Sequence, residues 1–190
     1  MAYSATVTEA SDVGLGAWTL DPATCIISGS FVAATQYLAS IYWRPEPDSA
    51  PFPTRILLPN VVVGSWTLVQ AGIICQDQVG PNVPGTLLAS CVAVLPVAGL
   101  NSLALVPVAA APLALPQGRY WVALVVTGTL GTALAASNPG TSGSLGINMG
   151  TDVPHSRFGI AATSGALGNI VPASIVSTTS NGLCLCAGVA

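Results

Sequence analysis

Prolines and glycines interrupt this chain so often, most densely between Asp77 and Arg119, that long helices are not expected. The 190 residues include 15 prolines and 20 glycines. Between Asp77 and Arg119, prolines stand at positions 81, 84, 96, 107, 112 and 116. Each proline removes a backbone hydrogen-bond donor and clashes with the preceding helical turn. Short apolar segments between regularly spaced turn signals are typical of strands, so the sequence predicts an all-β chain.

Two segments show the alternation of a β-strand most clearly. In residues 36–43, Tyr37, Ile41 and Trp43 fall on one face. In residues 119–127 both alternating faces are apolar, which predicts a central strand covered on both sides. The full set of predicted strands is 24–31, 36–43, 54–63, 65–75, 86–95, 103–108, 119–127, 157–162 and 183–189.

The spacing of these segments predicts one domain rather than several. Strands separated by turns, with no helical period, favour a single β-sandwich that is jelly-roll-like and mostly antiparallel. We assign residues 1–22 to an N-terminal arm and residues 23–190 to the sandwich. The proline-rich segment 44–53 and the Gly/Ser/Thr-rich segment 138–146 are predicted to be surface loops.

Charge is scarce in this chain. Hydrophobic residues make up 52% of it and charged residues 6%, with a formal net charge of −3 and no lysine. Ordinary globular domains carry about 25% charged residues. So few cations cannot form the basic surface that binds phosphates, so nucleic acid is not expected as a partner. Two interpretations remain: a membrane protein, or a domain whose surface is covered by neighbouring subunits.

The sequence argues against a membrane span and a secretory signal. The charge-free stretch between Asp77 and Arg119 is broken by its prolines, and residues 120–136 are too short to cross a bilayer as a helix. The first residues contain neither a basic nor an apolar signal region, which predicts synthesis in a cytoplasm. Free, buried thiols are expected there, notably at Cys25, Cys75 and Cys91.

No arrangement of reactive residues in the sequence predicts an enzyme. Asp152, His155 and Ser156 are neighbours in sequence, whereas a catalytic triad is defined by geometry. Cys184 and Cys186 supply two of about four ligands that zinc needs. We therefore predict no catalytic site, no metal site and no bound cofactor.

Aromatic and acidic residues near the loops are the candidate contact residues. Trp18 lies between Gly16 and Asp21, where it is expected to be exposed or packed on a partner. Three further candidates, Glu46, Asp48 and Phe52, belong to or adjoin the proline-rich loop. With Trp18 they form the predicted contact set for a partner protein or a glycan.

Several phrases of the sequence resemble a known group of proteins. Residues 83–89 (VPGTLLA) and 117–124 (QGRYWVAL) resemble jelly-roll domains at the ends of bacteriophage tail and fibre proteins. Residues 36–42, 157–161 and 171–175 are similar to minor structural proteins of phages that infect actinobacteria. The resemblance runs in order from residue 36 to residue 175.

The resemblance implies a virion structural protein with a jelly-roll-like fold, a trimer, and no catalytic residues. Its partners would be the major capsid protein or tail proteins. Because the chain begins almost at the domain, with no stalk, a capsid decoration or head-associated protein is favoured. The alternative is a minor tail or fibre-tip protein that binds a host glycan or receptor. A hydrolase acting on cell-wall polymers is a third and less favoured hypothesis.

Overall fold

The structure is a computed structural model, and its described part is built from strands. It describes residues 15–19, 26–27, 35–43, 52–60, 66–76, 84–92, 99–108, 114–128, 135–137, 158–162, 167, 175–176, 184–185 and 187–190. These ranges contain no helix, and every strand pairing within them is antiparallel. The prediction of an all-β, mostly antiparallel fold is confirmed.

Thirteen strands lie in these ranges. They are β1 (Ala17–Trp18), β2 (Ile26–Ile27), β3 (Thr35–Trp43), β4 (Arg55–Asn60), β5 (Trp66–Gln76), β6 (Pro84–Cys91), β7 (Gly99–Pro107), β8 (Gly118–Gly128), β9 (Ala135–Ser137), β10 (Phe158–Ala162), β11 (Ile175–Val176), β12 (Cys184–Leu185) and β13 (Gly188–Val189). Most match predicted strands. The short strands β1, β9 and β11 were not predicted, and β1 falls within the predicted N-terminal arm.

The strand order is that of a ribbon folded back on itself. The larger sheet has the order β1-β13-β4-β7-β6-β5-β8-β3-β10-β11. Its pairs are nested: β5 with β6, β4 with β7, β3 with β8, and β1 with β13. The order divides this sheet into two layers, β1-β13-β4-β7 and β6-β5-β8-β3-β10-β11, and the nested pairs give the jelly-roll-like connectivity that the sequence predicts. A second sheet contains β12, β9 and β2.

The two layers are joined along one side, so the larger sheet is nearly a barrel. β6 and β7 pair through Ala89 with Pro107, Ser90 with Val106, and Cys91 with Leu105. On the opposite side β1 contacts β3. A Cβ on Gly16 would overlap the Trp43 indole, so only glycine lets the chain lie on that ring. Trp43 Nε1 also donates to the Leu115 carbonyl, at 3.1 Å.

One hydrophobic core fills the space between the layers. Its members come from eight strands and include Ile56 on β4, Ile73 on β5, Leu103 on β7, Leu124 on β8 and Val189 on β13, each at most 3% exposed. Trp43, which shares one face of β3 with Tyr37 and Ile41, is part of this core and is 3% exposed. Burial of such side chains is worth about 1.5–3 kcal/mol each.

Strand β13 closes the fold from the far end of the described chain. It lies between β1 and β4, with Val189 opposite both Ala17 and Ile56. Thr19 secures it: the Thr19 amide donates to the Ala187 carbonyl, and the Ala187 amide donates to Thr19 Oγ1, each at 2.9 Å. Residues that are 168 positions apart therefore meet in the sheet.

Candidate interaction surface

Strand β7 separates an inner from an outer row of side chains. Asn101, Leu103 and Leu105 are buried in the inner row. In the outer row Leu100 is 63% exposed and Val106 is 56% exposed. Ser102 and Ala104, between them, are exposed as well. The strand thus has the alternation of one buried and one open side, although its open side carries apolar groups.

The neighbouring strands extend this outer row into a surface. Opposite Ala104 and Ser102, β4 places Arg55, which is exposed, and Leu57, which is half-buried. Opposite Val106, β6 places Ser90, and Val92 follows it with 75% exposure. We call this surface the open face; it consists of Arg55, Leu57, Ser90, Val92, Leu100, Ser102, Ala104 and Val106. Arg55 is its single charged side chain among the described residues.

The other layer has an outer surface that is buried. Leu38, Ile74, Trp121 and Ala123, from β3, β5 and β8, form a second hydrophobic cluster, each at most 2% exposed. We call this the covered face. The prediction that β8 is covered on both sides is confirmed, because Trp121 faces this cluster while its neighbours Tyr120 and Val122 face the core.

Leu167 is a described residue that lies on the covered face. It packs against the second cluster, and its amide donates to Gln70 Oε1 at 3.1 Å. Gln70 Nε2 in turn donates to the Cys91 carbonyl at 3.5 Å. Gly72 leaves the room that Leu167 occupies, since a Cβ there would lie 3.1 Å from Leu167 Cδ1 and 2.6 Å from the Ala89 carbonyl oxygen.

Two buried donors around the covered face have no acceptor. Gln36 Nε2 and Trp121 Nε1 are both inaccessible to solvent, and neither makes a hydrogen bond with any atom of the described structure. Gln36 is 2% exposed and Trp121 is 2% exposed. A buried donor without an acceptor costs about 1–3 kcal/mol. The covered face is therefore apolar packing that tolerates two unsatisfied groups.

At one end of the covered face, the outward side chains of β3 change from buried to exposed, and a small polar cluster lies there. Ser40 is 3% exposed, whereas Tyr42, two residues further on the same side of β3, is 52% exposed. Arg119 on β8 is the cross-strand partner of Tyr42. Gln117 Nε2 donates to the Tyr42 hydroxyl at 3.1 Å. Sequence reasoning missed this cluster because 75 positions separate Tyr42 from Gln117.

The structure describes two of the four predicted contact residues. Trp18 is half-buried on β1. Phe52 is half-buried and packs against the main core. Glu46 and Asp48 lie outside the described residues. Their assignment as contacts to a partner or a glycan stays a prediction.

The residues considered for catalysis or metal binding lie mostly outside the described ranges. These are Asp152, His155, Ser156 and Cys186, while Cys184 is described in its backbone alone. Within the described ranges, no group of three or more His, Cys, Asp or Glu side chains could hold a metal ion. Nor do those ranges contain a helix long and apolar enough to cross a membrane.

Cys91 is a thiol whose surroundings the structure does describe. It is free and 3% exposed, in the main core, as the sequence predicts. Burial raises the pKa of the Cys91 thiol, while the Ala71 amide, which donates to Sγ at 3.0 Å, acts in the opposite direction. Because the thiolate is the reactive form, this cysteine is expected to be inert near neutral pH.

No family model matches the chain, and no curated protein matches it.

Proposed function

We propose that the chain is a structural subunit of a bacteriophage particle, and that it decorates and stabilises the capsid surface. The proposal combines the sequence resemblance with one observation, the open face. That face exposes Leu100, Val106 and Val92 to solvent around a single arginine. Exposed apolar groups with almost no charge suit the centre of a permanent protein interface.

The low charge of the whole chain supports the same proposal. Arg55 and Arg119 are the two charged side chains within the described ranges, and all seven acidic residues lie outside them. Contact through the open face would therefore depend on apolar area, backbone and hydroxyl groups. Such contact is weakened little by salt, whereas a contact based on surface ion pairs is screened.

Washing purified particles tests the kind of contact. Particles that carry the chain are washed in about 1 M NaCl, where the Debye length falls to about 3 Å. We expect the chain to stay on the particle. Its release at the first wash would contradict contact through a face with a single charged side chain.

Copy number tests the location. The chain is quantified against the major shell protein by mass spectrometry of isotope-labelled peptides. A capsid decoration protein should occur in a fixed, near-stoichiometric ratio to the shell, since closed shells repeat each contact by symmetry. A few copies per particle would place the chain in the tail and overturn the capsid assignment.

Substitution on the open face tests whether this surface makes the contact with the particle. Val106→Asp places a charge on the open face, at a side chain that is 56% exposed and lies outside the core. We expect the variant to fold but to be absent from particles, because a buried unpaired charge is costly in an interface. Thr86→Asp, at an exposed position of β6 outside the defined face, is the control and should remain on particles.

A further inference from the structure

The polar cluster at the end of the covered face has the features of a small-ligand site. Tyr42 is 52% exposed and stands beside Arg119, its cross-strand partner. Cβ atoms of such pairs lie about 4.5–5.5 Å apart, so the ring and the guanidinium occupy one patch. The hydrogen bond from Gln117 Nε2 to the Tyr42 hydroxyl restrains the ring before any ligand arrives.

The hydrogen-bonding groups of this patch include both donors and acceptors. A glutamine amide has two N–H donors and one carbonyl acceptor, and an arginine has five N–H donors. One Gln117 N–H is used by Tyr42. The described structure shows no acceptor for the Arg119 guanidinium and no further partner for Gln117. The patch therefore offers an amide acceptor and several donors beside an exposed aromatic ring.

We propose that Tyr42, Gln117 and Arg119 form a binding site for a sugar ring. The C–H groups of one sugar face pack on the electron-rich face of the Tyr42 ring. Sugar hydroxyls both donate and accept hydrogen bonds, which matches the amide of Gln117 together with the guanidinium of Arg119. The site is separate from the open face and goes beyond the capsid role proposed above.

Size and chemistry favour a sugar over a protein or an anion. An interface between proteins takes about 800 Å² from each partner, whereas one aromatic side chain supplies about 150–250 Å². The covered face cannot add to the patch, since Ser40 and Trp121 next to it are buried. A phosphate or carboxylate would use donors alone and would gain nothing from an exposed tyrosine ring or from the Gln117 carbonyl oxygen.

Ligand-observed saturation-transfer NMR on the full chain tests the site. The sugar probes are methyl glycosides of glucose, galactose, mannose and N-acetylglucosamine, and the anion probes are acetate and methylphosphonate. We expect at least one glycoside to bind the wild-type chain. Tyr42→Ala should weaken this binding about tenfold or more, because it removes the stacking surface. Gln117→Ala and Arg119→Gln should weaken it by smaller factors.

Matched variants separate recognition from folding. Arg55→Gln removes the other described arginine, on the open face, and should leave sugar binding unchanged. Tyr42→Phe keeps the ring and should retain more binding than Tyr42→Ala. Thermal unfolding of each variant confirms that it is folded; if Tyr42→Ala is not, Gln117→Ala and Arg119→Gln decide.

Three results would overturn the proposal. The first is the absence of saturation transfer to every glycoside. The second is sugar binding that is equal in wild type, Tyr42→Ala and Arg119→Gln. The third is binding of the anions alone, lost in Arg119→Gln, which would make the patch an anion site. None of these results bears on particle assembly, so the capsid proposal is tested independently.

Discussion

Both outer surfaces of this fold carry apolar side chains, but they differ in how far those side chains are exposed to solvent. Ala123 on β8 and Ala104 on β7 are both outward-facing residues of interior strands in the larger sheet. Ala123 is fully buried, whereas Ala104 is exposed. Leu167 of the same chain packs on the covered face. The open face is exposed to solvent. Apolar side chains that point outward from this sheet are therefore buried in one layer and exposed in the other.

Introducing a charge on each face should give the largest difference in the free energy of unfolding. Ala123→Asp buries a carboxylate among Leu38, Ile74 and Trp121, and we expect it to lower the free energy of unfolding by at least about 3 kcal/mol. Ala104→Asp, at the exposed position, should change it by no more than about 0.5 kcal/mol. Urea unfolding of both variants measures this. Equal losses would show that the open face is also packed in the isolated chain.

Replacing a leucine on each face with alanine should give the next largest difference in the free energy of unfolding. Leu38 is 1% exposed, so Leu38→Ala leaves a cavity and should cost about 2–5 kcal/mol. Leu100→Ala removes a side chain that is 63% exposed and should cost less than about 0.5 kcal/mol. Thermal unfolding of the pair is the measurement. A small loss for Leu38→Ala would mean that the cover is loose.

The two glutamines beside the covered face should respond with opposite sign. Gln36→Met removes a buried donor that has no acceptor and should be neutral or stabilise by about 1 kcal/mol. Gln70→Met removes the bonds to Leu167 and Cys91 and should destabilise by about 1 kcal/mol. The difference in urea midpoint measures both. Destabilisation by Gln36→Met would reveal a partner for its amide.

The Cys91 thiol lies in the core beneath the open face, and its titration should give the smallest effect on stability. Its pKa is raised in the folded chain, so the folded state keeps a proton that the unfolded state loses above about pH 8.5. The stabilisation is therefore complete below that pH and is lost as pH rises towards the folded pKa. The difference in unfolding free energy between wild type and Cys91→Ala should shrink over this range.

Alkylation mapped by mass spectrometry gives a second measurement at the same position. Cys91 should react with iodoacetamide more slowly in the folded chain than in urea at pH 8, because it is 3% exposed. Rapid labelling of the native chain would mean that the layer beneath the open face separates readily.

Strong period-two patterns made much of the fold predictable. Residues 119–127 alternate two apolar rows, and β8 occupies Gly118–Gly128 with both rows buried. The segment predicted at 36–43 matches β3, Thr35–Trp43. β7 starts earlier than predicted because Asn101 points inward and breaks the apolar pattern. Its amide is accommodated by the carbonyls of Leu58 and Gly99, which no sequence pattern indicates.

Features that depend on contacts between distant segments could not be predicted. β1, β9 and β11 have two or three residues each, too few to show a period. β1 and β9 also depend on pairing with distant strands, β13 and β2. The same holds for the Tyr42 cluster, which depends on the register between β3 and β8. The two apolar rows of residues 119–127 indicated the covered face at β8. No sequence pattern indicated the open face, because its exposed side chains include apolar ones.

The nested pairing of the strands also has a consequence for how the chain acquires its structure. The β5–β6 pair is local, whereas β1 meets β13 across almost the whole chain. Distant pairings carry the largest loop-closure entropy and slow folding, so we expect the inner hairpin to form early and the outermost pair last. In pulsed hydrogen exchange, the amides of Gly16 and Thr19, which donate to Val189 and Ala187, should gain protection after those of β5. An intermediate in which β13 has not yet paired would expose the strand edges of β4 and β1. This intermediate is the form most prone to aggregate with other copies of the chain.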